Sequence, residues 1–115
     1  MRILNITCYL VFIFAAQQLT AASPIDFDRD VLPILSDTCF ACHGPDANQR
    51  QADLRMDLAN DHLTTLLSPT RPATSEFIRR IVSQDEDQVM PPPSSKKILT
   101  DAQIEILTRW VKQGA

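Results

Sequence analysis

The chain has 115 residues, of which 44% are hydrophobic and 22% charged, and its formal net charge at pH 7 is −3. This length is enough for one small domain. Because the sequence contains no basic patch, we expect no nucleic-acid partner.

The first 22 residues have the layout of a secretory signal peptide. One positive charge, Arg2, precedes an apolar run over residues 3–16, and small residues close the segment. A membrane anchor is the alternative, but the apolar run is shorter than the roughly 20 residues that span a bilayer. We therefore expect cleavage after Ala22 and export to the periplasm or the extracellular space, with no membrane association of the mature form.

Cleavage changes the cysteine count and the charge of the remaining domain, residues 24–115. Cys8 is removed, so Cys39 and Cys42 remain as the two cysteines, and the loss of Arg2 makes the formal charge −4. Outside the cytoplasm, two thiols this close together would oxidise to each other unless something else occupied them.

The mature chain begins with a predicted helix in "DFDRDVLPILSDTC". Asp26 is a candidate N-cap, and Pro33 inside the segment predicts an irregular helix. Next, "QADLRMDLA" alternates apolar and polar residues and predicts an extended segment with Leu54, Met56 and Leu58 on one side. The apolar residues at helical spacing in the first segment are Phe27, Val31, Ile34 and Leu35.

Two further helices are predicted in the second half, on either side of a proline-rich segment. "SEFIRRIVS" predicts a short helix capped by Thr74 or Ser75. "VMPPPSSKK" cannot be helical, because each proline excludes its predecessor from the helical region. "TDAQIEILTRWVKQGA" predicts a helix with a capping box at Thr100 and Gln103 and a stop at Gly114. The inward faces are predicted to be Phe77, Ile78, Ile81 and Val82, and then Ile104, Leu107, Trp110 and Val111.

The stretch "CFACH" at residues 39–43 predicts covalent attachment of a c-type haem. A thioredoxin-like dithiol needs an α/β sheet, whereas this chain is mostly helical. A structural zinc site needs four ligands, and only His62 could add a third. Cys39 and Cys42 can instead form thioethers with the two vinyl groups of one porphyrin, which places His43 as the proximal iron ligand.

Met90 is the predicted second axial ligand of the iron. Three prolines follow it, and a stiff loop can hold a thioether sulfur at a fixed height above the porphyrin. An exposed polyproline spacer is the alternative for this segment. Met56 and His62 are the rival ligands, although Met56 fits an apolar packing face and His62 stands among polar residues.

The mature chain resembles the planctomycete-type cytochrome c domain. The resemblance rests on "IDFDRDVLPILSDTCFACHGPD", "ADLRMD", "EFIRRIVSQDEDQVMPPP" and "LTDAQIEILTRWVKQGA". It implies a mostly α, small cytochrome c-like fold in which the first and last helices pack across each other beside one haem, with Phe27 against Trp110 and Leu107. It also implies Cys39 and Cys42 as attachment sites, with His43 and Met90 as iron ligands.

The expected function is electron transfer by one covalently bound haem c, without bond-making chemistry. Arg79 and Arg80 are possible partners of the haem carboxylates, but a solvated helix face is the simpler role, so neither is included in the site. In proteins of this family larger domains usually follow the haem domain, so an enzyme module is one alternative. A haem-based sensor of small ligands is another, and the redox partner is not identified by the sequence.

Overall fold

The computed structural model describes residues 22–115, so the predicted signal peptide lies almost entirely outside the described residues. No strand occurs within that range, and the expectation of a mostly helical fold is confirmed. None of the helices found in that range is both long and apolar enough to cross a bilayer. The described part of the chain contains five α-helices: α1 (Leu32–Thr38), α2 (Phe40–His43), α3 (Asp61–Leu67), α4 (Glu76–Val82) and α5 (Asp101–Lys112).

The first helix is irregular, as the proline in its sequence predicts. A π-helical turn, Phe27–Val31, precedes α1, and the side chain of Asp26 caps this turn by accepting a backbone hydrogen bond. The N–H of Leu32 donates to the carbonyl of Phe27, five residues earlier. Pro33 follows and has no N–H to donate, so the regular α-helical ladder cannot extend backwards through it.

Trp110 on α5 connects the last helix to the start of the mature chain. Its ring lies 5.7 Å from the ring of Phe27 and 6.3 Å from that of Phe77, the latter in an edge-on arrangement. The amide of Gln113 also donates to and accepts from the backbone of Ile25, at 2.6 and 2.9 Å. The implied packing between the first and last helices is therefore observed.

The predicted boundaries of α5 are confirmed. The hydroxyl of Thr100 accepts from the N–H of Gln103, and the side chain of Gln103 accepts from the N–H of Thr100, which is the predicted capping box. Gly114 follows the helix with φ = +114°, a conformation that glycine adopts at little cost. Three of the four predicted inward residues, Leu107, Trp110 and Val111, are buried, and Ile104 is partly buried.

One predicted inward residue is wrong. Val82, the last residue of α4, is 51% exposed, although its neighbour Ile81 is buried. Leu58, predicted on the same side as Leu54 and Met56, is 52% exposed, because the chain bends at residues 56–58 and the alternation stops. The extended segment also begins with a left-handed turn at 52–53.

The N-terminal cap of α4 and the non-helical segment that follows the helix agree with the sequence-based predictions. Of the two candidate caps, Ser75 is the one observed, and its hydroxyl accepts from the N–H of Ile78 at 3.2 Å. The proline-rich segment is free of α-helix but contains one 3₁₀ turn, Pro93–Ser95, because a proline is well suited to the first position of a helical turn.

Candidate haem site

A largely apolar cavity of about 310 Å³ lies between the α1–α2 junction, α4 and the proline-rich segment. This volume falls at the lower end of the range typical of small-molecule sites, about 300–1,000 Å³. The structure brings the four predicted site residues together, because Cys39, Cys42, His43 and Met90 all line this cavity.

One helical turn presents both thiols and the imidazole to the cavity. The N–H of His43 donates to the carbonyl of Cys39 at 2.9 Å, so residues 39–43 form a single helical turn. Cys39 and Cys42 are both free thiols. Burial raises the pKa of the Cys39 thiol, and a contact with the Thr38 hydroxyl at 3.4 Å opposes this in smaller part. Within residues 22–115, no three His, Cys, Asp or Glu side chains are grouped to hold a bare metal ion.

The imidazole of His43 has the protonation state that an iron ligand needs. Burial lowers the pKa of His43, so the ring is neutral at pH 7. The nearby backbone of Gln51 and Leu54 opposes this shift in part, but no acceptor or donor completes a hydrogen bond with Nδ1. In residues 22–115, Nδ1 is the one buried side-chain polar atom without a hydrogen-bond partner. The imidazole, the two thiols and the thioether of Met90 line the same largely apolar cavity. The residues present therefore fit a haem.

The loop after α2 folds back over the motif, and its N–H groups donate hydrogen bonds to the last carbonyls of α2. A helix of four residues leaves its last carbonyls without intrahelical partners. The N–H of Gln51 donates to the carbonyl of Cys42, and the N–H of Met56 donates to that of His43, both at 2.7 Å. Arg50 adds a bond from Nε to the carbonyl of Gly44 at 3.1 Å. This return of the chain carries Leu54 and Met56 to the cavity wall.

Gly44 is required at the point where the loop leaves α2. Its backbone conformation suits any residue, but a Cβ atom there would overlap the carbonyl oxygen of Phe40. We expect Gly44→Ala to destabilise the haem-loaded protein by about 1–3 kcal/mol, because the overlap is with rigid helix backbone. Thermal unfolding measures this. The control is Ala41→Ser at an exposed position of the same helix, and equal unfolding midpoints for the two variants would contradict the steric argument.

The two rival ligands, Met56 and His62, also line the cavity. Met56 is buried, and its N–H is bonded to the carbonyl of His43, so its backbone lies beside the motif. Met90 belongs to a remote segment whose N–H donates to the carbonyl of Arg80 at 3.1 Å. The two thioethers therefore come from separate walls of the cavity, while His62 is exposed on α3.

Sequence reasoning did not consider Glu76 and left Arg80 out of the site, yet both side chains line the cavity. Of the residues that line it, Glu76 and Arg80 are the two that carry a permanent charge. A signal was available in the sequence, since positions 76 and 80 immediately precede the inward residues Phe77 and Ile81 on the same helix. The helical period therefore places the pair at the edge of the inward face.

Residues 39–94 match the family model described as Planctomycete cytochrome C. The matched segment begins at the first cysteine of the motif and continues past Met90, so it contains all four predicted site residues. Searches among curated proteins and among solved structures found no match for this chain.

Proposed function

Because the chain carries a planctomycete cytochrome c domain, we propose that it is an exported single-haem c-type cytochrome that transfers electrons. In this proposal Cys39 and Cys42 attach the haem through thioethers, His43 is the proximal iron ligand and Met90 the distal one. The observation that supports it best is the one apolar cavity lined by both thiols, the neutral imidazole and the thioether.

Each of these side chains has a distinct role. Bound haem supplies the reversible gain and loss of one electron at the iron. The two cysteines fix the ring in the cavity, and the neutral His43 is ready to bind without releasing a proton. The thioether of Met90 is a soft donor that favours ferrous iron and so raises the reduction potential. The apolar lining, which includes Leu54, Phe77 and Leu99, excludes water from the site.

Export and the cysteine pair support each other in this proposal. The N-terminal layout of a signal peptide directs the chain to a compartment where free vicinal thiols oxidise to each other. Covalent attachment of haem protects both thiols from that reaction and prevents loss of the cofactor. We propose that the partner is another redox protein, with no bond-making step in this domain.

Covalent attachment is the decisive test of the function. We expect the full chain, produced with a c-type maturation system, to stain for haem after denaturing electrophoresis. The pyridine haemochrome spectrum should then show two thioethers. Cys39→Ala or Cys42→Ala should leave one thioether or lose haem during export, and the double variant should carry none covalently. Cys8→Ser, outside the motif, serves as the control and should retain normal staining, whereas covalent haem in the double variant would refute the assignment.

A further inference from the structure

The permanently charged pair at the cavity belongs to a group of three side chains on α4. The carboxylate of Glu76 accepts from Nε of Arg80 at 2.9 Å and from Nε of Arg79 at 2.7 Å. Both arginines thus share one acid, yet Arg80 lines the cavity and Arg79 does not. Arg79 is directed outwards, with 52% of its side chain exposed against 33% for Arg80.

The pair is fixed in position and in charge. Glu76 lies in the first turn of α4, and the guanidinium groups of Arg79 and Arg80 lower its pKa to about 2. Arg80 is also held by a contact from Nη1 to the carbonyl of Gln88 at 3.4 Å. At neutral pH the cavity therefore contains one negative and one positive charge at its edge, among walls that are otherwise largely apolar.

Helix stabilisation alone does not explain this placement. A pair of opposite charges three or four residues apart contributes only about 0.2–0.5 kcal/mol to a helix. Arg79 already supplies such a pair with Glu76 from the solvent side. The second arginine adds a positive charge at the cavity wall, where its partly buried side chain is screened less by solvent than a fully exposed one.

We propose that Glu76 and Arg80 set the reduction potential of the haem through their opposite charges, an inference that rests on the proposed haem function. Ferric iron carries one more positive charge than ferrous iron. Glu76 therefore stabilises the ferric state and Arg80 the ferrous state. Because the two effects on the reduction potential have opposite signs, they partly cancel in the intact protein. Each single substitution should therefore shift the potential.

The test compares reduction potentials of haem-loaded variants of the full chain. Arg80→Gln should lower the potential, and Glu76→Gln should raise it. Arg79→Gln is the matched control, since it removes the same charge from the neighbouring position outside the cavity, and it should shift the potential least. Arg80→Lys restores the positive charge and should recover most of the potential lost in Arg80→Gln.

The outcomes separate this inference from the function on which it rests. Absence of covalent haem from the unsubstituted protein would refute the function itself. Normal haem with equal shifts for Arg80→Gln and Arg79→Gln would overturn the inference and leave the function standing. If Arg80→Gln disturbs iron ligation in the absorption spectrum, Glu76→Gln decides: a raised potential supports the proposal, and an unchanged or lowered one overturns it.

Discussion

Without haem, the protein is expected to lose cooperative thermal unfolding. The cavity of about 310 Å³ would be empty or filled with water in a chain that must fold around it. At about 24 cal/mol for each Å³ of cavity, the penalty reaches at most about 7 kcal/mol. Small domains have a net stability of only about 5–15 kcal/mol, so a loss of this size removes between about half and all of it.

Circular dichroism during heating measures this, with the haem-loaded protein as reference. The apo form is the Cys39→Ala/Cys42→Ala chain purified without haem, since thioether-bound haem cannot simply be extracted. We expect a broad, shallow transition for the apo form and a sharp one for the haem-loaded protein. A sharp apo transition near the haem-loaded midpoint would show that the protein core suffices without the cofactor.

The helices alone cannot supply the stability that is lost when the haem is absent. The helices α1, α3 and α4 have seven residues each and α2 has four. Isolated helices shorter than about 12–15 residues are marginal in water. Their stability must come from packing, and the inward residues of α4, Phe77 and Ile81, are buried at the wall of the cavity.

The elements that could be predicted from sequence are those whose signals are local. The capping box at Thr100 and Gln103 involves residues three positions apart, and the glycine after α5 acts on its own backbone. Pro33 likewise disturbs the first helix through the loss of its own N–H. None of these depends on where the rest of the chain lies, so the sequence alone was sufficient.

The features that could not be predicted from the sequence depend on contacts between remote segments. Leu58 fits an alternating pattern, but the return of the chain over α2, fixed by the bonds of Gln51 and Met56 to the motif, ends that alternation. Val82 fits a helical stripe, yet it is 51% exposed although its neighbour Ile81 is buried. Glu76 and Arg80 lie at the edge of the predicted inward face of α4, but only the fold shows that this edge borders the cavity.

The choice of the distal ligand requires both the geometry of the cavity and the sequence. Three sulfur or imidazole side chains, those of Met56, His62 and Met90, line one cavity, so proximity alone does not choose among them. The backbone bonds separate the two methionines: the N–H of Met56 is bonded to the carbonyl of His43, whereas the N–H of Met90 is bonded to Arg80 near the end of α4. Because His43 is the proposed proximal ligand, this separation supports the proposal that Met90 is the distal one.

Met90→Ala is therefore expected to remove the distal ligand and lower the reduction potential. Water or hydroxide would take the open position, and these harder donors favour ferric iron. Axial ligands span about 0.8 V in haem proteins, so a fall of about 0.1 V or more is expected. The far-red charge-transfer band of ferric His/Met haem should disappear, and carbon monoxide or cyanide should bind readily. Absorption spectroscopy and redox titration measure these changes.

Met56→Leu provides the matched control, because it removes a thioether from the same cavity while keeping an apolar side chain of similar volume. We expect the band and the potential to remain nearly unchanged, since the buried Met56 serves in packing. Loss of the band in Met56→Leu with retention in Met90→Ala would exchange the two roles. If both variants kept their native spectra, His62 on α3 would become the distal ligand, and the segment that begins at Met90 would be an exposed spacer.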